Sequence, residues 1–131
     1  MKHTPVFTEI SNQVEVRVRP LYLEEQSDAI QGKHVFVYFI TIRNHGNEPV
    51  TLLKRHWNIK DSNGETYEVD GDGVVGKKPT IVPGEEYEYN SSCVLKSYIG
   101  EMRGYYLMEK ESGASIKVTI PRFVLRSHIL N

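Results

Sequence analysis

Val14, Val16 and Val18 alternate with Glu15, Arg17 and Arg19, and this two-residue rhythm recurs along the chain. It is the feature that most restricts the fold. Successive side chains of a β-strand point to opposite faces, so apolar–polar alternation marks a strand with one face buried. No window of a dozen residues carries the i, i+3, i+4, i+7 spacing of an amphipathic helix. The chain therefore reads as all-β, with a first strand at 14–19 that Pro20 is expected to stop.

Later segments obey the same rule. The polar run EEQSDAIQGK at 24–33 reads as a surface loop, and HVFVYFITIRN at 34–44 as the next strand. Its first half is apolar on both faces, with Phe36, Tyr38 and Ile40 on one and Val35, Val37 and Phe39 on the other. One face belongs to the core; the other is covered by a neighbouring segment or by a second copy of the chain, which leaves a homodimer open. HGNEP at 45–49 is a turn, after which Leu53, Trp57 and Ile59 share one alternating phase, with Trp57 as a core anchor. DSNG at 61–64 closes a hairpin, because Asn and Gly tolerate positive φ, and ETYEVD returns. VPGE at 82–85 is a further turn, and Tyr87, Tyr89, Ser91 and Cys93 share one strand face. Gly100 and Gly104 bracket an irregular stretch. A last hairpin turns near Ser112 and Gly113, with Ile116, Val118 and Ile120 alternating; Pro121 ends its second strand and RFVLR follows along a sheet edge. Seven to nine short, mostly antiparallel strands joined by such turns describe a β-sandwich.

The 131 residues suit one domain, 1–131, without a repeat or linker. The net charge is −1 and the basic residues are scattered, so neither nucleic acid nor an anionic membrane is expected as a partner. Cys93 is the only cysteine, which excludes an internal disulfide and suits a reducing cytoplasm. MKHTPVFTEI lacks the apolar run of a signal peptide, and the longest apolar run is VFVYFI at 35–40, so no membrane span is expected.

GDGVVGKKP at 71–79 carries Gly71, Gly73 and Gly76 at the spacing of a dinucleotide-binding fingerprint. That motif needs a helix after the glycines to receive the pyrophosphate. Pro79 and Pro83 deny it one, and Asp72 would repel a phosphate. Two readings remain: a crossover loop whose glycines supply demanding backbone angles, or a nest of inward N–H groups with Lys77 and Lys78 adding positive charge. Asp61, Glu65, Asp70 and Asp72 offer oxygen to a hard cation, but not at EF-hand spacing. The histidines, at 3, 34, 45, 56 and 128, show no zinc-site spacing, so no metal or other cofactor is expected. Ser91, Ser92 and Cys93 lie on a strand with no nucleophile elbow and no evident base, so no catalytic residue is assigned.

In this order, VFVYFITIRNHG at 35–46, LLKRHWNIKDSNG at 52–64, VDGDGVVGKKPTIVPGEEYEYNSS at 69–92, GEMRGYYLM and VTIPRFVL resemble the ApaG family of bacterial proteins. The matching pieces fall within about 13–126. The resemblance implies an immunoglobulin- or fibronectin-III-like β-sandwich and an association with cobalt resistance and magnesium efflux; no catalytic mechanism comes with it. Similar domains in eukaryotic F-box proteins and in a DNA-polymerase-associated protein look like binding modules. Lys77 and Lys78 stand where the family often has an acidic or neutral pair. The positions to watch for ligand binding are Arg55, His56, Gly71, Gly73, Gly76 and Lys77. Strand alternation puts Arg55 with Trp57 and sends His56 to the opposite face.

The expected function is that of a non-enzymatic binding module for a protein partner. The alternative is a small-ligand sensor holding a phosphate-type anion or a divalent cation near GDGVVGKK, and a remote third is a phosphate-ester hydrolase.

Overall fold

Alternation becomes strand along nearly the whole chain. The computed structural model describes residues 5–127, so His3 and His128 lie outside the described residues. Nine strands follow in order: β1 (Phe7–Ser11), β2 (Val14–Tyr22), β3 (His34–Asn44), β4 (Val50–Asp61), β5 (Thr66–Asp72), β6 (Thr80–Ile81), β7 (Glu86–Leu95), β8 (Ile99–Lys110) and β9 (Ser115–Arg126). A single 3-10 turn at Glu24–Gln26 sits in the predicted polar loop. All pairings are antiparallel, in one sheet ordered β1-β2-β3-β7 and another ordered β5-β4-β8-β9 with β6 beside β4. Among the described residues no helix is long and apolar enough to cross a membrane.

The sheets face each other across one apolar layer, the all-β sandwich that the alternation predicts. Val14, Val16 and Val18 are fully buried, as are Phe36, Ile42, Tyr106 and Phe123. Trp57, 3 % exposed, meets Phe123 edge-on at 5.9 Å and Tyr38 at 5.4 Å, so it is the core anchor its position suggested. On the outer face of β3, neighbouring segments supply cover. Val35 bonds Leu23 and Ser27 of the loop, and the Arg19 guanidinium lies 4.6 Å from the Phe39 ring centre.

Four local expectations are corrected. Leu53 does not share the phase of Trp57: the register shifts between Leu52 and Lys54, leaving Leu53 as an extra residue, so Leu52 is the one fully buried. Neither proline ends a strand. Pro20 lies beyond the last β1 partner of β2, Val18, so no ladder bond is lost there. Pro121 falls where the β8–β9 register shifts, and β9 runs through it to Arg126 on the sheet edge. Gly100 and Gly104 lie inside β8, where a Cβ on Gly104 would come within 2.0 Å of the His56 carbonyl oxygen. They permit close strand approach within a continuous strand, and the β8–β9 register shift between Met102 and Gly104 falls in the stretch they bracket. Finally, β1 is a strand that the alternation at 14–19 did not announce. It joins β2 through Asn12 and Gln13, both at positive φ (49° and 64°), a hairpin turn made without glycine.

Buried Asn44 ties two of the turns together. Its Nδ2 donates to the Glu48 and Ile81 carbonyls, both at 2.9 Å, and its Oδ1 accepts from the Gly46 N–H at 2.8 Å. Truncation would leave buried backbone groups without partners. Asn44→Ala is therefore expected to lower stability by about 2–4 kcal/mol in urea unfolding, whereas exposed Asn47→Ala in the same turn should cost under about 0.5 kcal/mol.

Candidate binding cleft

The bulge at Leu53 decides which β4 side chains face inward. After it, Arg55, Trp57 and Ile59 point between the sheets, while Lys54 and His56 point out. Gly71 stands opposite Arg55 in register, and a Cβ there would lie 2.6 Å from the guanidinium carbon. Because that Cβ is missing, the half-buried guanidinium rests against the strand, and its Nη1 donates to the carbonyls of Asp72 (3.1 Å) and Gly73 (2.8 Å).

The glycine loop is folded around the same bulge. Gly73 N–H donates to the Leu53 carbonyl at 2.8 Å, and Leu52 N–H to the Pro79 carbonyl at 3.0 Å. Val74 and Lys77 exchange backbone bonds of 2.8 and 3.0 Å across a tight turn, with Val75 and Gly76 at φ 47° and 76°. Gly73, at φ 61°, would bring a Cβ within 2.1 Å of the Lys77 carbonyl oxygen. A nest must turn N–H groups toward its anion. Those of Gly73, Val74 and Lys77 turn toward Leu53, Lys77 and Val74 instead. Gly76 and Lys77 are exposed at the turn, away from the cleft that Arg55 lines.

His56 sits on the opposite sheet face from Arg55. Its Nδ1 lies 2.5 Å from Asp70 Oδ1, its Nε2 lies 3.8 Å from Glu68 Oε1, and its ring stacks on Tyr105 at 4.9 Å. The structure thus gathers Arg55, Gly71 and Gly73 through hydrogen bonds and close packing and turns the His56 ring to the outer face, where Arg55, His56 and Gly71 together line a separate shallow depression. The acids named as possible cation ligands are similarly divided. Buried Asp61 accepts the Lys96 N–H at 2.7 Å, Glu65 pairs with Lys96 Nζ at 3.1 Å, Asp70 pairs with His56, and Asp72 offers Arg55 its carbonyl. Among the described residues no three His, Cys, Asp or Glu side chains come together in a way that could hold a metal ion.

The two sides of the sandwich differ. Where β1 nears β9, Ser11 Oγ accepts the Thr119 N–H at 2.8 Å and Asn12 Nδ2 donates to the Lys117 carbonyl at 2.6 Å. Where β5 and β7 form the other two edges, a cleft of about 370 Å³ opens instead. Its walls carry Tyr67 (39 % exposed), Val69 (40 %) and Val94 (55 %), and Trp57 and Met102 lie deeper. Arg55, Tyr38 and Ser91 supply its polar groups. The Lys96–Glu65 pair, with Tyr67 hydroxyl donating to Glu65, links the ends of β7 and β5.

Burial pushes the Tyr38 and Tyr106 phenols up, against the opposing pull of the Arg55 charge, so both stay neutral hydroxyls at pH 7. Tyr106 and Tyr89 hydroxyls meet at 2.5 Å. Val69 and Val94 were not singled out by sequence reasoning. ETYEVD shows an apolar row in alternation, but nothing local says that its strand will be an edge.

Burial, then the Asp61 charge, pushes the Cys93 thiol from its ordinary 9.0 up to about 11. The thiolate is the reactive form, so folded Cys93 should react with a disulfide reagent at pH 8 about a hundredfold more slowly than in the urea-unfolded chain. Val75 is a β-branched residue held in the left-handed region, where glycine fits without strain. Val75→Gly is expected to raise the urea midpoint, by about 0.5–1 kcal/mol in stability after glycine's added chain entropy.

Comparison with known proteins places these elements in a family. A family model described as the ApaG domain matches residues 24–110. Proteins named ApaG from Sinorhizobium fredii and Agrobacterium fabrum are 44 % and 45 % identical over 122 residues, 93 % of this chain and 94 % of each of theirs. A crystal structure of an ApaA protein from Bordetella pertussis matches with a TM-score of 0.85 at 40 % identity, over 92 % of this chain and 95 % of that one. A structural-genomics X-ray structure matches with a TM-score of 0.86 at 41 % identity, over 94 % and 93 % of the two chains. With matches of this extent to a sandwich of the same shape, the chain belongs to the ApaG family.

Proposed function

We propose that this chain is a non-enzymatic binding module that takes up an extended segment of a protein partner at the open β5–β7 side. The observation that carries the reading is the contrast between the two sides of the sandwich: side-chain-to-backbone bonds join β1 to β9, while a partly apolar cleft separates β5 from β7. An unpaired strand edge offers backbone N–H and C=O groups to an added strand, and alternate side chains of that strand would fall into the cleft. Cys93 is held as a thiol and His56 faces away, which supports binding in place of nucleophilic chemistry. The link to cobalt resistance and magnesium efflux that the family resemblance implies would then run through the partner. A ligand sensor at GDGVVGKK is the less supported reading, since three of its N–H groups are donated within the chain. A self-contact through Val37 and Phe39 would be compatible with an open β5–β7 side.

The test is selection of peptides from a random display library on the immobilised full chain, followed by amide NMR mapping of the selected peptides. Shifts centred on 67–71 and 91–94, and binding weakened at least about tenfold in Val69→Lys, are expected. Selected peptides that map to an outer sheet face, or that ignore Val69→Lys, would overturn the proposal.

A further inference from the structure

We infer that the segment taken up at β5–β7 carries a carboxylate, an Asp or Glu side chain two residues from an apolar one, and that Arg55 receives it. The inference rests on the cleft reading above and adds the chemistry of the occupant.

A partly buried guanidinium at the rim of an apolar cleft is stabilised by an opposite charge as well as by hydrogen bonds. Arg55 has only the second. Its bonds, both from Nη1, go to neutral backbone carbonyls. The ion pairs among the described residues engage Arg17, Arg43, Lys96, Arg103 and Arg122 with glutamates and leave Arg55 out. Of the two acids that flank Gly71 along the strand, Asp70 pairs with His56, and Asp72 turns its carbonyl to Arg55 and makes no ion pair with it. The phenols beside it stay neutral and cannot balance the charge. Arginine presents five N–H donors in a planar fork suited to a carboxylate, and the Nε–H and Nη2 donors here make no bond within the described chain.

Position adds to charge. The inward row of β5 is Tyr67, Val69 and Gly71, opposite Ile59, Trp57 and Arg55 in register. From Gly71 to Val69 the wall changes from a cation to an apolar surface in one step of two residues. An added strand repeats at that same interval, about 6.5 Å for every second side chain. A carboxylate over Arg55 therefore places the next inward side chain over Val69 and Trp57. At the far end, Glu65 is already occupied by Lys96, and Arg55 is the one charged side chain lining the cleft, while the buried Asp61 carboxylate acts on Cys93 and Tyr67 from behind its wall.

The test titrates the labelled full chain with two probes, acetyl-Thr-Asp-Thr-Val-Thr-amide and its counterpart with Asn for Asp, following backbone amides and the Arg55 Nε–H. The expected result is saturable shifts at Val69, Gly71, Ser91 and Arg55 Nε, with the Asn peptide about tenfold weaker. In Arg55→Gln the two peptides should bind alike. Equal binding of both peptides in the cleft of the unaltered chain would overturn the carboxylate inference while the cleft reading stood. Cleft amides silent to both peptides at millimolar concentration would overturn the inference as well, with the display selection deciding the cleft separately. The comparison on the unaltered chain holds even if Arg55→Gln fails to fold.

Discussion

The bulge at Leu53 governs which side chains of β4 face the space between the two sheets. Strand side chains alternate strictly, so one extra residue exchanges every later position between faces. Without it, the phase that buries Val50 and Leu52 would continue inward through Lys54 and His56. With it, Trp57 enters the core and Arg55 reaches the rim of the interlayer space, while His56 joins Tyr105 and Asp70 outside. The carbonyl of the bulged residue then serves as the seat for the glycine loop through Gly73.

That coupling accounts for GDGVVGKKP without a nucleotide. Gly71 clears space for the Arg55 side chain, Gly73 allows the chain to pass the Lys77 carbonyl, and Gly76 turns it back so that β6 can pair with the start of β4. Three glycines at the spacing of a phosphate-binding fingerprint here meet three different packing demands. The pattern depends on what the backbone does around it, and after a strand that runs into a tight turn and then Pro79 there is no helix N-terminus for a phosphate to meet.

Most of the fold is legible in the sequence because burial on one face leaves a period-two signature, and in β2 that signature runs through three fully buried valines. The core position of Trp57 and the opposite faces of Arg55 and His56 follow from the same rule. What alternation cannot carry is an insertion in the ladder: a bulge has no composition of its own, so Leu53 was assigned to the wrong face and Pro121 read as a strand end. Nor does it carry the hairpin at Asn12 and Gln13, whose positive φ values lack the glycine that usually signals them. The cleft was hidden for a different reason. Tyr67 and Val69 look like the inward row of any strand, and only the order of strands in the two sheets leaves that row half exposed.

The central claim, a sandwich closed at β1–β9 and open at β5–β7 with Arg55 at the opening, is tested most directly by solvent paramagnetic relaxation. A neutral gadolinium chelate added to the labelled chain relaxes nuclei that solvent can approach. The account predicts strong relaxation of the Arg55 Nε–H and of side-chain methyls on Val69 and Val94, with the Thr119 amide, bonded to Ser11, protected. Protection of Arg55 and Val69 equal to that of Thr119 would mean that the β5–β7 side is closed, and would contradict the account.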